Sequence, residues 1–162
     1  MTNQPIELRY DVRPEDRQTV RQLVESTGVF SPVEIDVAVE LVDERLASGP
    51  QSDYHFVFAQ DRGRTVGYTC YGPIALTAAS FDLYWIAVDK SLHGRKIGRL
   101  LLEKTEELVR LSGGRQLYIE TSNRHHYAAT RGFYLRCGYR QEALLKDFYA
   151  PGDDKVIYVK EL

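Results

Sequence analysis

Alternation and helical spacing along the chain divide it into strands and helices. Ile6 to Tyr10 alternates apolar and polar side chains and predicts a first strand. Pro14 opens a segment with Val20, Leu23, Val24 and Thr27 on one helical face, stopped at Gly28. A second helix has Ser31 as cap, Pro32 in its first turn and Glu34 placed for a capping box, and it ends at Ser48, Gly49 and Pro50. Val33, Val37, Leu41 and Val42 are its expected buried stripe. Two aromatic and β-branched runs, from Tyr54 and from Thr65, flank the short turn Asp61 to Arg64 and predict a hairpin. Phe81 to Val88 is a further strand, whose continuously apolar end predicts burial on both faces. Ile97, Leu101, Thr105 and Leu108 mark a long amphipathic helix that stops at Gly113 and Gly114. Arg115 to Ser122 is a strand, and Tyr127 to Cys137 a short helix stopped by Gly138. Tyr139 to Phe148 and Lys155 to Glu161 close the chain as strands around the turn Ala150 to Asp154. The order is β-α-α-β-β-β-α-β-α-β-β: an α/β chain with a mixed sheet of about seven strands flanked by four helices. The strand-helix-strand unit from 81 to 121 is the clear parallel crossover.

At 162 residues, with 43% hydrophobic and 27% charged positions, this is the composition of a single globular domain spanning 1–162. A formal charge of −2 gives no bulk attraction to nucleic acid or to an acidic membrane surface, so any anion site must be local. No run of eighteen apolar residues predicts a membrane span, and the start of the chain lacks a basic, then apolar, leader pattern. Cys70 and Cys137 form no CxxC pair, which argues against a zinc site or a disulfide framework. Each reads as a small apolar filler, with a thiol nucleophile as the alternative, and a reducing cytoplasm is the expected location.

The local anion site is predicted between the strand ending at Val88 and the helix opening near Ile97. His93, Gly94, Arg95, Lys96, Ile97, Gly98 and Arg99 combine glycines and cations where a helix N-terminus exposes unpaired N–H groups. The loop lacks the lysine-hydroxyl pair of a nucleoside-triphosphatase phosphate loop, and it follows the wrong strand for a dinucleotide fingerprint.

This loop resembles the pyrophosphate cradle of the GNAT superfamily of N-acetyltransferases, whose pattern is Gln/Arg-x-x-Gly-x-Gly/Ala. The element order agrees over nearly the whole chain, as do the stretches around "YWIAVDKSLHGRKIGRLLL" and "ETSNRHHYAATRGFYLRCGY". His93 and Lys96 depart from the pattern, and Lys96 stands where its first glycine would be. The resemblance implies acetyl-coenzyme A as cosubstrate and no metal. Its pantetheine amides would pair with the main chain of Ile86, Ala87 and Val88, and Asn123 would help to hold that arm. Tyr134, four residues before Gly138, matches the family's proton donor to the departing sulfur. A main-chain N–H near Ile86 or Ala87 would meet the carbonyl oxygen.

The general base stays open. Glu120 at the end of its strand is the nearer carboxylate, Asp82 and Tyr84 are alternatives on the preceding strand, and His125 and His126 are further ones. His55 reads as structural. Phe30, Tyr71 and Tyr84 are the expected walls of the acceptor pocket. A small amine or free amino acid is the expected acceptor, because no broad acidic stretch is available for a basic peptide tail. The helix "FSPVEIDVAVELVDERL" resembles that of relatives assigned amino acids, D-alanine among them. Protein N-terminal or lysine acetylation and a non-catalytic acyl-coenzyme A sensor are the rival readings. The resemblance also allows a homodimer through exposed strand edges.

Overall fold

The computed structural model describes residues 4–162; Met1, Thr2 and Asn3, which carry part of the reading of the chain's start, lie outside the described residues. The elements follow the expected order: β1 (Glu7–Arg9), α1 (Asp16–Thr27), α2 (Pro32–Ser48), β2 (His55–Asp61), β3 (Arg64–Pro73), β4 (Ser80–Val88), α3 (Ile97–Leu111), β5 (Gln116–Ser122), α4 (Ala128–Arg136), β6 (Arg140–Ala150) and β7 (Asp153–Glu161). Seven strands form a mixed sheet in the order β1-β2-β3-β4-β5-β7-β6, with β4 and β5 parallel. No helix among the described residues is long and apolar enough to cross a membrane.

Local chemistry sets the boundaries. Gly28 caps α1 in the left-handed conformation and its N–H donates to the Glu25 carbonyl. Ser31 and Glu34 form both halves of the capping box. Arg62 and Gly63, both at positive φ, make the two-residue turn between β2 and β3 that matches the twist of the strands. The turn between β6 and β7 is only Pro151 and Gly152, because both strands extend further than their apolar patterns predict.

The described residues form two compact units, residues 4–72 with 85–107, and residues 73–84 with 108–162. The core of the first unit gathers Val20, Leu23 and Val24 of α1, Ile35, Ala38 and Val42 of α2, and Phe56, Phe58 and Tyr68 of the sheet. The expected stripe of α2 is therefore corrected: Val33 is 72% and Val37 42% exposed. Apolar residues recur on several faces of this helix, and the Ile35, Ala38, Val42 spacing is the one that meets the sheet. Arg9 and Asp16 form a buried bidentate pair (2.9 and 2.7 Å), with the guanidinium 4.3 Å above the Phe58 ring. On α3, Ile97, Leu101, Leu102 and Thr105 are buried in this unit, and Thr105 shares a 2.7 Å hydrogen bond with Thr69.

In the second unit, Leu117 and Ile119 of β5, Val156, Tyr158 and Val159 of β7, and Tyr134 and Tyr139 are buried. The last turn of α3 contributes Val109, while the expected Leu108 is half-buried.

Candidate functional site

In the first unit, β4 ends at Val88 and Asp89 turns the chain. Its N–H donates to the Val66 carbonyl (2.8 Å). Its carboxylate accepts from the Ser91 N–H (3.0 Å) and hydroxyl (2.7 Å) and pairs with Arg64 (3.0 Å). These hydrogen bonds from Ser91, with Arg64 beside them, hold Asp89 below the usual carboxylate range. His93 Nε2 lies 3.0 Å from the Val88 carbonyl. A carbonyl can only accept, so this nitrogen carries the proton. His93 therefore fastens the loop to the end of β4.

Gly94 (φ +89°) and Lys96 (φ +62°) are both left-handed, and the Lys96 carbonyl accepts the Leu100 N–H (3.1 Å), which opens α3. Lys96 thus holds a conformation that favours glycine, the residue the family pattern has at this position. The first N–H groups of α3, at Ile97, Gly98 and Arg99, have no acceptor within the helix. Left-handed turns leading into a helix N-terminus make a concave array of amides that suits a diphosphate. The nearby cations are partly committed: Arg95 pairs with Asp61 (3.2 Å) and Arg99 approaches Glu103 (3.7 Å). Among the described residues Lys96 forms no ion pair.

Ala87 is buried and Ile86 and Val88 are half-buried. Behind them a Cβ on Gly67 would stand 3.1 Å from the Ala87 carbonyl oxygen and 3.0 Å from Leu101 Cδ1, so glycine permits this close approach to β4. Phe30 meets the Trp85 ring edge-on at 5.0 Å. Tyr71 is buried beside the His55 ring (5.4 Å); burial raises its phenol to about 12 and lowers the half-buried His55.

In the second unit, the parallel ladder pairs Ser80–Leu83 with Gln116–Ile119, whereas β4 continues to Val88. The expectation that the end of β4 is buried on both faces is corrected here, since Tyr84 is 37% exposed and Trp85 and Ile86 are half-buried. Asp82 lies opposite Tyr118, Glu120 opposite Ile157, and Lys155 opposite both Ser122 and Leu145. Opposed residues point to one face and alternate residues share it. That face collects Asp82, Tyr84, Tyr118, Glu120, Lys155, Ile157 and Leu145. Glu120 is 47% exposed and its carboxylate sits 2.6 Å from the Lys155 ammonium. Asp82 is half-buried, and its carboxyl is raised to about 6, first by desolvation and then by the Glu120 charge, against the opposing pull of Lys155.

Tyr134 is buried on α4, with Tyr158 at 5.8 Å and Tyr139 at 6.2 Å between ring centroids. Burial pushes its phenol well above the ordinary range, with Cys137 and Tyr158 adding to it. Arg131, one turn earlier, donates to the carbonyls of Ser122 (3.0 Å) and Arg124 (2.7 Å) and ties α4 to the end of β5. Asn123 is exposed, and its N–H donates to the Asp154 carbonyl (2.9 Å). His125 and His126 are exposed in the helical turn that leads into α4.

Sequence reasoning missed Lys155, Trp85 and Arg131. The lone tryptophan in an apolar strand was the available signal for Trp85. The two others are defined by register and tertiary contact, to which a local pattern is blind.

A family profile described as acetyltransferase (GNAT) domain matches residues 52–141. An uncharacterized N-acetyltransferase of Methanocaldococcus jannaschii is 32% identical over 106 residues, a match spanning 65% of this chain and 65% of that protein. A crystal structure from Desulfovibrio desulfuricans assigned to the GNAT family is 50% identical, covers 97% of this chain and 99% of that one, and has a TM-score of 0.95. An aminoglycoside 6′-N-acetyltransferase complexed with coenzyme A is 20% identical, covers 98% and 97% of the two chains at a TM-score of 0.78, and bears on the fold alone. With its profile matched over more than half the chain and a half-identical relative spanning nearly all of it, the chain belongs to the GNAT family of N-acetyltransferases.

Proposed function

We propose that residues 1–162 act as one catalytic domain that transfers the acetyl group of acetyl-coenzyme A to the amine of a small molecule or free amino acid, D-alanine among them, by direct attack in a ternary complex. The observation that carries this reading is the left-handed turn at Gly94 and Lys96 running into the N-terminus of α3. Its amides and local positive charge suit the diphosphate of coenzyme A.

The main-chain amides of residues 94–99 hold the diphosphate, with Lys96 and the partly committed Arg95 and Arg99 adding charge. The main chain of Ile86, Ala87 and Val88 and the side chain of Asn123 take the pantetheine arm. When bound, acetyl-coenzyme A supplies an activated acetyl group as a thioester. A main-chain N–H at Ile86 or Ala87 donates to the carbonyl oxygen as it gains charge. Asp82 serves as the base: a carboxylate that titrates near 6 is ionised at neutral pH and retains more proton affinity than an ordinary aspartate. Glu120, ion-paired to Lys155, acts beside it and not as the acceptor of the proton. Tyr134, kept as the neutral phenol by burial, donates an Oη–H hydrogen bond to the departing sulfur and passes it the proton, and a proton from solvent restores the phenol. Phe30, Tyr71 and Tyr84 are the side chains proposed to contact the acceptor.

Calorimetric titration with coenzyme A and thiol release against a panel of amines, amino acids and peptides test the proposal. Saturable binding and acceptor-dependent release are expected, and Tyr134→Phe should lower turnover about a hundredfold while leaving coenzyme binding nearly intact. Binding without release from any acceptor would favour the sensor reading, and no heat on titration would remove the cradle itself.

A further inference from the structure

The sheet face that carries Asp82 has a charge balance of its own. Its third charged member, Lys155, is recessed: its side chain is 12% exposed, its ammonium meets Glu120 at 2.6 Å, and it lies 4.2 Å from the centre of the Phe148 ring. Around it, Arg124 pairs with Asp153 (3.1 Å), and Arg140 meets both Glu142 (3.2 Å) and Glu161 (3.6 Å). Within the trio of Asp82, Glu120 and Lys155, two carboxylates and one ammonium leave a single negative charge. The rim is apolar and open, with Leu145 and Phe148 exposed alongside Tyr84.

We infer that Lys155 sets the acceptor class, holding its trio with Asp82 and Glu120 at one net negative charge beside an apolar rim so that it takes a small primary amine with a single positive charge and an apolar body, and turns away polycations. The inference rests on the proposed transferase reading and narrows it to a small monoamine, because the carboxylate of a free amino acid would meet the same net negative charge. A monoamine needs one carboxylate to meet its ammonium, and Asp82 and the outer edge of Glu120 supply that. A polyamine brings a second ammonium toward a carboxylate already satisfied by Lys155. At a separation of about 6 Å and an effective dielectric constant of about 40, the repulsion from Lys155 corresponds to a factor of about ten in affinity. Lys155 is a specificity residue in this account, since it reaches the acceptor through the charge of the face.

The test compares spermidine with 2-phenylethylamine. Lys155→Met keeps the stem against Phe148 and removes the charge. It should raise the spermidine to 2-phenylethylamine ratio of kcat/KM about tenfold, whereas Lys155→Arg should leave that ratio within about twofold. Calorimetric titration of spermidine into the protein without coenzyme should show the same gain for the methionine variant. An unchanged ratio in a folded Lys155→Met protein, or an equal gain in Lys155→Arg, would overturn the inference. Should Lys155→Met not fold, Glu120→Gln replaces it: loss of a carboxylate should weaken spermidine more than the monoamine, and an equal or smaller loss for spermidine would overturn the inference. If the unaltered protein binds coenzyme A but releases no thiol with any amine, the transferase reading fails, while the spermidine titrations still decide the role of Lys155.

Discussion

The pH dependence of the reaction is where the charge balance around Asp82 is most exposed to refutation. Its carboxyl is raised from 3.8 to about 6 by desolvation and by Glu120, with Lys155 opposing. If Asp82 takes the acceptor's proton, kcat/KM should follow its ionised fraction. About nine-tenths of the group is ionised at pH 7, half at pH 6 and about one-tenth at pH 5. Thiol release should therefore fall about tenfold between pH 7 and pH 5, measured with a weakly basic acceptor whose own titration lies below the range. Glu120→Gln removes a raising charge and should move the acid limb to lower pH; Lys155→Met removes a lowering one and should move it to higher pH. Asp82→Asn should lower the plateau by a factor of about 10² or more. Stability carries the opposite trace. Between 3.8 and about 6 the folded state binds the proton that the unfolded chain has released, so the Asp82 contribution is most favourable below 3.8 and is lost as pH climbs through 6. An acid limb that stays put in both charge variants, or that survives in Asp82→Asn, would refute the assignment of Asp82 as base.

Three other perturbations follow from named contacts. Asp16→Ala leaves the Arg9 guanidinium, 8% exposed, without its carboxylate. Denaturant unfolding should show a loss of about 3–5 kcal/mol, and a loss below about 1 kcal/mol would show that the pair is not desolvated as its burial implies. Gly67→Ala forces a Cβ to within 3.1 Å of the Ala87 carbonyl oxygen. It should cost about 1–3 kcal/mol and weaken coenzyme A binding in calorimetry, and an unaffected protein would mean that the strands separate freely. Lys96→Gly relieves a left-handed backbone worth about 1–2 kcal/mol, offset by about 0.4–1 kcal/mol of added freedom in the unfolded chain. Thermal unfolding should show a small rise in Tm, whereas a fall would show that the lysine side chain contributes more than its backbone costs.

Most of the framework was legible because local chemistry writes it. Ser31 and Glu34 announce the start of α2 whatever surrounds them, and the hairpin between β2 and β3 is visible in aromatic runs around a glycine turn. The loop from His93 to Arg99 was legible for the same reason, since a helix N-terminus needs no distant partner to expose its amides. Lys96 adds a refinement that sequence obscured: where the family pattern has glycine, this lysine holds φ at +62°, a conformation that favours glycine. The face of α2 was misread because apolar residues on several sides allow more than one stripe, and only packing against the sheet selects Ile35, Ala38 and Val42.

The sheet face around Asp82 was the least legible part, and the reason lies in how a sheet encodes contact. Alternation placed Asp82 and Tyr84 on one side of β4, but it could not say which residues of β5 and β7 stand beside them, because a slip of one residue reverses every side chain of a strand. Glu120 was found as a carboxylate at a strand end, without the ammonium that answers it. Lys155 is 35 positions further along the chain, and the two meet only because Glu120 is opposite Ile157 while Lys155 is opposite Ser122, a diagonal that long side chains can span. The same diagonal changes the reading of both carboxylates: it commits Glu120 to an ion pair and leaves Asp82, desolvated and beside a negative neighbour, as the group with proton affinity to spare. The difference in proton affinity between these two acids is thus a property of register.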